Sequence, residues 1–270
     1  MGAALAIAFH CLGHHVFATA RNPSKLAPLA EQGIETVQLD ITSSSSITAA
    51  VGSNLLETNL WGHLAVTQPF LPLLLRSTAT SPSPAYQGPR AMIVNHTSVG
   101  SLAALPFQGI YNASKAALAM LSETMRLELE GCFAGLRVID LKTVGVKTNI
   151  IENNNINSAS SPGGEHTDDV LPAETIYAPA REIVTRAMSQ VDLKEGMKVT
   201  AEEWAAEVVP LLLGKNPPGA IWKGESASMA RLAVSLPRWG NHGGGLFEGF
   251  LKKMTGLSEV ESVMKESRGA

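Results

Sequence analysis

A chain of 270 residues that is 45% hydrophobic and 17% charged can bury a full core as one domain. Its net charge of −3 and isoelectric point near 6.2 supply no general field for nucleic acid or an anionic membrane, which points to a small-molecule ligand or a protein partner. No stretch reaches the roughly 18 to 20 continuous apolar residues of a membrane span, and the two cysteines, Cys11 and Cys132, lie far apart in apolar helical contexts with no metal-ligand spacing, as in a reduced intracellular protein.

The opening MGAALAIAFHCLG puts small and aliphatic side chains at Ala3, Ala4, Ala6 and Ile7 and a turn at Gly13, the body of a helix that in an αβ unit follows a strand. Residues 15–20 are β-rich; RNPSKLAPLAEQG reads as a turn and short helix, and ETVQLDIT is β-rich again, ending at Asp40. His14 and His15 are adjacent, point to opposite faces of a strand, and form no metal pair. Residues 55–75 make a long apolar helix, 77–90 a loop rich in Ser and Pro, and AMIVNHTS a strand with Ile93 and Val94 buried. YNASKAALAMLSETMRLELEG is apolar or small around most of its circumference, which predicts a helix covered on both sides. LRVIDLK is another strand, and NNNINSASSPGGEHTDD a polar loop of the length found over sites. Helices at 180–190 and 201–213 precede a strand in GAIWKG; RLAVSLPRWG reads as a buried helix, and the segment from about 240 as a solvated amphipathic tail. Alternation of this kind predicts one α/β domain over 1–270, built on a doubly wound parallel sheet.

The chemistry concentrates between Ser98 and Lys115. Tyr111 and Lys115 are four apart at a helix start, so both face one way. An ammonium beside a phenol favours the phenolate and lowers a pKa otherwise near about 10, which makes Tyr111 a general acid or base. Ser98 ends the preceding strand, where doubly wound sheets bind their ligands, and its hydroxyl suits a substrate carbonyl.

With Ser98 and Tyr111 spaced by 111 − 98 = 13, and ETNLWG supplying Asn59, the chain resembles the short-chain dehydrogenase/reductase family and its Asn-Ser-Tyr-Lys tetrad. The segments NLLETNLWGHLAVTQPFLPLL, PFQGIYNASKAALAMLSETMRLEL, TVGVKTNI and NPPGAIWKG are similar to those of fungal NADPH-dependent 1-acyldihydroxyacetone-phosphate reductase-like members. The resemblance implies a Rossmann-type fold, NADP(H) as cofactor, and reduction of a carbonyl to a secondary alcohol. It implies Tyr111 as proton donor, Lys115 as the group that tunes it and holds the nicotinamide ribose, Ser98 as carbonyl anchor, and Asn59 as holder of a water leading to Lys115. Val146 and Thr148 match the loop beside the nicotinamide and diphosphate, Asp40 the adenine contact, and Arg21 a cation that favours a 2′-phosphate. The plainer readings are a solvated loop arginine for Arg21, a helix cap for Asp40 and a satisfied buried amide for Asn59. No metal is expected. A small-molecule carbonyl substrate is, as are a homodimer through the helices at 55–75 and 111–130, and a cytoplasmic location, peripheral at the endoplasmic reticulum or a lipid droplet.

Three departures stand against this pattern. MGAALAIAF matches the helix after the family's TGxxxGIG loop, and of that loop only Gly2 has a counterpart. Only 14 residues separate Asp40 from Leu55, too few for a helix of about 11, a strand of about 5 and their loops, so the strand ending in NNAG is missing too. The absent strands, first and fourth, are neighbours in the order 3-2-1-4-5-6-7, and their loss leaves roughly 10 Å of open sheet at about 4.8 Å per strand. Strand two then pairs with strand five, or the sheet is broken. Last, Thr143-Val144 puts a β-branched residue where the family has glycine. Three readings remain: an NADPH-dependent carbonyl reductase, a truncated homologue acting through dimerisation, or a poorly folded product.

Overall fold

The computed structural model describes residues 1–39, 55–79, 87–148, 171, 174–189, 197–235 and 246–269. Helix α1 (Gly2–Cys11) leads into β1 (Phe17–Ala20), the short α2 (Ala27–Ala30) and β2 (Glu35–Gln38), which lies parallel to β1 with Phe17 opposite Glu35. A π-helical turn, Glu57–Trp61, runs directly into α3 (Gly62–Thr78). Then come β3 (Ala91–Ser98), α4 (Gly109–Glu130) and β4 (Leu136–Thr143). Beyond them lie α5 (Arg181–Ser189), α6 (Ala201–Leu212), β5 (Ala220–Lys223) and α7 (Ala227–Ser235). The chain closes with α8 (Leu246–Met254) and α9 (Leu257–Gly269).

Among the described residues every pairing is parallel, as the alternation predicts, but the strands form two sheets, β1-β2 and β3-β4-β5. Of the two outcomes open at the gap, the broken sheet is the one found, and among the described residues no strand joins β1 to β3. Helix α1 spans the break. Its Ala4, with Met1, Leu5, Ala8 and Phe9, packs on Ile139 and Leu141 of β4 and on Trp204, Ala205 and Val208 of α6. Its Ala6 and Ile7 pack on the separate cluster of Ala18, Leu26, Leu29 and Ile34 around the small sheet. Serving two cores at once requires a helix apolar on all sides, which is why its sequence has no polar stripe.

Helix α6 begins at Thr200, whose hydroxyl accepts the Glu203 amide (3.1 Å) while the Glu203 carboxylate accepts the Thr200 amide (2.9 Å), a reciprocal cap. Its Trp204 is fully buried between α1 and the sheet.

Two expectations need correction. Helix α4 buries only the face of Ser114, Leu118, Ser122 and Met125, while Met120 (68%) and Leu127 (65%) stay exposed, because the sheet covers one side of it alone. The C-terminal segment is not a solvated tail: Val260 of α9 is buried against Leu171, Ala180 and Val184 of the α5 region, its apolar stripe finding a partner within the chain. Both cysteines are exposed, since Cys11 ends α1 and Cys132 lies just past α4. No described helix is long and apolar enough to cross a membrane.

Candidate active site

Strand β3 is buried on alternate residues and ends at Ser98, which stands opposite Thr143 at the carboxyl end of β4. From there the chain turns through Val99–Ser101, passes Phe107 at φ 64°, and enters α4 at Gly109. Tyr111 therefore sits in the first turn of α4 and Lys115 one turn later, back over the strand end. Gly100 is needed for this return. A Cβ there would lie 2.8 Å from Asn112 Oδ1 and 3.4 Å from the Tyr111 ring, closer than the site tolerates.

Ser98 is 8% exposed. Its Oγ accepts the Gly100 amide (3.2 Å), which leaves its proton free to turn toward Tyr111, whose phenolate it favours. Burial pushes the Tyr111 phenol above its ordinary value, and the nearby Ser98 hydroxyl pulls it only part of the way back. This corrects the expectation that Lys115 lowers it. The Lys115 ammonium is 6.0 Å from the centre of the tyrosine ring and donates to the main-chain oxygen of His96 (3.0 Å), so desolvation outweighs its field at the phenol. Burial also brings Lys115 itself down to about 8, against the opposing pull of Asp140.

Asn59 lies within the π-helical turn and donates to Ser114 Oγ (3.0 Å), whose own proton goes to the Tyr111 carbonyl (2.8 Å). It is thus tied to the first turn of α4 beside Lys115; π-turns of this kind are frequent at functional sites. Val146 is buried in the main core, and Thr148 follows it in the loop after β4. Arg21 is exposed just past β1, and its carbonyl accepts from Gln38 Nε2 (3.2 Å), which places it at the carboxyl end of the small sheet. Asp40 and the polar loop after Thr148 fall outside the described residues. The turn after β4 is made at Gly145 (φ 56°), one residue beyond Val144, and Gly224 clears the Val144 carbonyl, where a Cβ would approach to 2.1 Å.

Several neighbours escape sequence reasoning. The His96 ring contacts Thr143 Oγ1 (2.6 Å) and lies 5.5 Å from the Trp204 ring. Burial, and after it the charge of Lys115, hold its pKa at about 4, so the imidazole is neutral. His63 of α3 is lowered for the same two reasons, with Asn95 pulling the other way. On the other face of β4, Asp140 and Lys142 form a buried ion pair (2.5 Å). Strand periodicity alone marks that pair, since residues 140 and 142 share a face.

At the other border of the site, α1 starts at Gly2 with no side chain capping its free amides, and nothing lies within 4 Å of a Cβ built there. The Met1 amino group is near enough to act on His96.

Residues 52–159 match the family model for short chain dehydrogenases. A short-chain dehydrogenase/reductase of Pestalotiopsis microspora is 36% identical, the match covering 98% of this chain and 93% of that protein. It runs over 293 positions against 270 residues here, so that relative carries internal residues this chain lacks. An NADPH-dependent 1-acyldihydroxyacetone phosphate reductase of Schizosaccharomyces pombe is 28% identical over 88% of this chain and 86% of its own. Among solved structures, a short-chain dehydrogenase from Streptomyces avermitilis superposes with a TM-score of 0.61 at 19% identity, covering 99% of this chain and 93% of that one, and shares the fold.

Proposed function

The chain belongs to the short-chain dehydrogenase/reductase family, enzymes that use a nicotinamide cofactor, and from that premise we propose that it reduces a ketone to a secondary alcohol with NADPH, on a lipid-like carbonyl such as an acyl-dihydroxyacetone phosphate. What carries the reading is the meeting of Ser98, Tyr111 and Lys115 at the carboxyl end of β3. Tyr111, kept protonated by burial, gives its phenolic proton to the carbonyl oxygen. Ser98 turns its hydroxyl from Tyr111 to that same oxygen and fixes its direction. Lys115, an ammonium below about pH 8, stabilises the phenolate left behind and is the donor for the nicotinamide ribose. Asn59 holds this turn of α4 through Ser114. The reduced dinucleotide, when bound, supplies the hydride. Of the residues present here, Arg21, exposed at the carboxyl end of the small sheet, suits a 2′-phosphate.

The substrate class is supported by the fission-yeast relative's activity and by the apolar cluster of Phe107, Tyr177 and Leu171, which begins four residues before Tyr111. A cytoplasmic enzyme would meet such a substrate at the endoplasmic reticulum or a lipid droplet, and exposed Phe250 and Met254 beside Lys253 on α8 offer a surface for that contact.

Fluorescence titration with NADPH, NADH serving as control, tests the reading. We expect saturable binding that favours NADPH, and in Arg21→Ala about a 10-fold loss for NADPH alone, the scale of one charge-assisted hydrogen bond. Absence of saturation by a cooperatively folded chain would end the proposal.

A homodimer goes with this reading because α4 leaves Ile110, Met120 and Leu127 bare and α3 leaves Phe70 and Leu73 bare. Sedimentation velocity should show a dimer that Met120→Glu converts to monomer; a monomeric wild-type chain refutes it.

A further inference from the structure

Lys142 is charged, yet only 6% exposed, in the central strand of the three-stranded sheet. Its Nζ lies 2.5 Å from Asp140 Oδ2 and 3.1 Å from Ser101 Oγ, with the Trp222 ring centre 5.7 Å away. The Thr97 hydroxyl donates to the other oxygen of Asp140. A groove of about 480 Å³ under α4, walled by Ala116, Ala119 and Met120, reaches the pair. Buried ion pairs contribute little to stability and are often matched by apolar residues of like volume. The position of this one is therefore the more informative fact.

An ammonium only donates. Ser101 Oγ must accept from Lys142, and its single proton then goes to the main-chain oxygen of Ser98, 2.7 Å away. The Ser98 carbonyl is thereby pinned, and with it the backbone from which the Ser98 hydroxyl reaches Tyr111. We infer that Lys142 and Ser101 are positioning residues, a relay that holds Ser98 in the orientation from which it serves Tyr111 and the substrate carbonyl. Asp140, with Thr97 behind it, holds the relay's charged end. Neither Lys142 nor Ser101 touches the reacting atoms.

The inference rests on the reductase reading for its catalytic meaning, and its structural part is tested without turnover. The chain has three tyrosines, so protein labelled with ¹³C at the tyrosine ζ carbon gives few signals, and Tyr111→Phe assigns the one of interest. Ser101→Ala, which removes the relay and leaves the ion pair intact, should displace the Tyr111 signal in the direction that Ser98→Ala does. In the Ser98→Ala background it should displace it no further. Lys142→Met should act in the same direction, and Ser101→Thr, which restores the hydroxyl, should return the signal toward wild type. With substrate, Ser101→Ala should lower kcat about 10-fold, the scale of one hydrogen bond, at unchanged cofactor affinity. A Tyr111 signal unmoved by Ser101→Ala, or moved equally with and without Ser98, would overturn the relay. Displaced signals in a protein that reduces no carbonyl would keep the relay and overturn the reductase reading instead.

Discussion

Tyr111→Phe should lower kcat for carbonyl reduction about a thousandfold, within the range for loss of a positioned general acid, while cofactor binding stays as in wild type. The ring remains, so its packing against Gly100 is kept; only the proton and its hydroxyl are lost. Because burial raises the phenol pKa, the wild-type acid is fully protonated at neutral pH, which suits reduction and disfavours the reverse reaction. Steady-state kinetics beside a cofactor titration check this. A variant that keeps more than a tenth of wild-type kcat would remove Tyr111 from the proton transfer and assign the acid to another group.

Lys115→Met should trade activity for stability. The folded-state pKa of Lys115 is about 8 against an ordinary 10.5, so between those values the unfolded chain binds more protons and stability rises with pH. Below about 8 the protein carries the full cost of a buried ammonium. Methionine removes that cost, and the variant should melt higher than wild type at pH 7, by a margin that shrinks as pH climbs from about 8 towards 10.5. The lost bond to the His96 carbonyl offsets part of the gain. Its kcat should fall about a hundredfold through loss of the charge beside the phenolate. The decline in wild-type reduction above about pH 8, where Lys115 loses its proton, should be absent from the variant. Melting curves across pH and a pH–rate profile test both halves. A variant no more stable than wild type at pH 7 would mean that the ammonium is better solvated than its burial implies.

Local chemistry was legible in the residues themselves. Tyr111 and Lys115 follow from helical spacing, and Ser98 from its place at a strand end, because each depends on neighbours within a turn or a strand. The relay through Lys142 was not, although Asp140 and Lys142 alternate with Ile139 and Leu141 in a pattern that assigns them one face. Nothing in the sequence says that this face meets Ser101, 41 residues away. The sign of the Tyr111 shift is hidden from the sequence for a related reason: spacing reports that two side chains are neighbours, and burial depends on what the rest of the chain lays over them. The broken sheet followed from the short interval after Asp40 as one of two outcomes. The docking of α9 did not, since an amphipathic stripe does not name its partner.

The division of the sheet has a thermodynamic side. The segment from β1 to β2 holds a core of its own, Ala18, Leu26, Leu29 and Ile34, whose link to the main body among the described residues is the flank of α1. A unit attached along one seam can detach without global unfolding. Arg21 travels with that unit, and the tyrosine and lysine stay with the larger one. A dinucleotide gripping both would then have to find them docked, and its apparent affinity would be the intrinsic one scaled by the docked fraction. The ligand would in return rivet the two halves together, so that the enzyme would be completed as a single cooperative body only by what it binds.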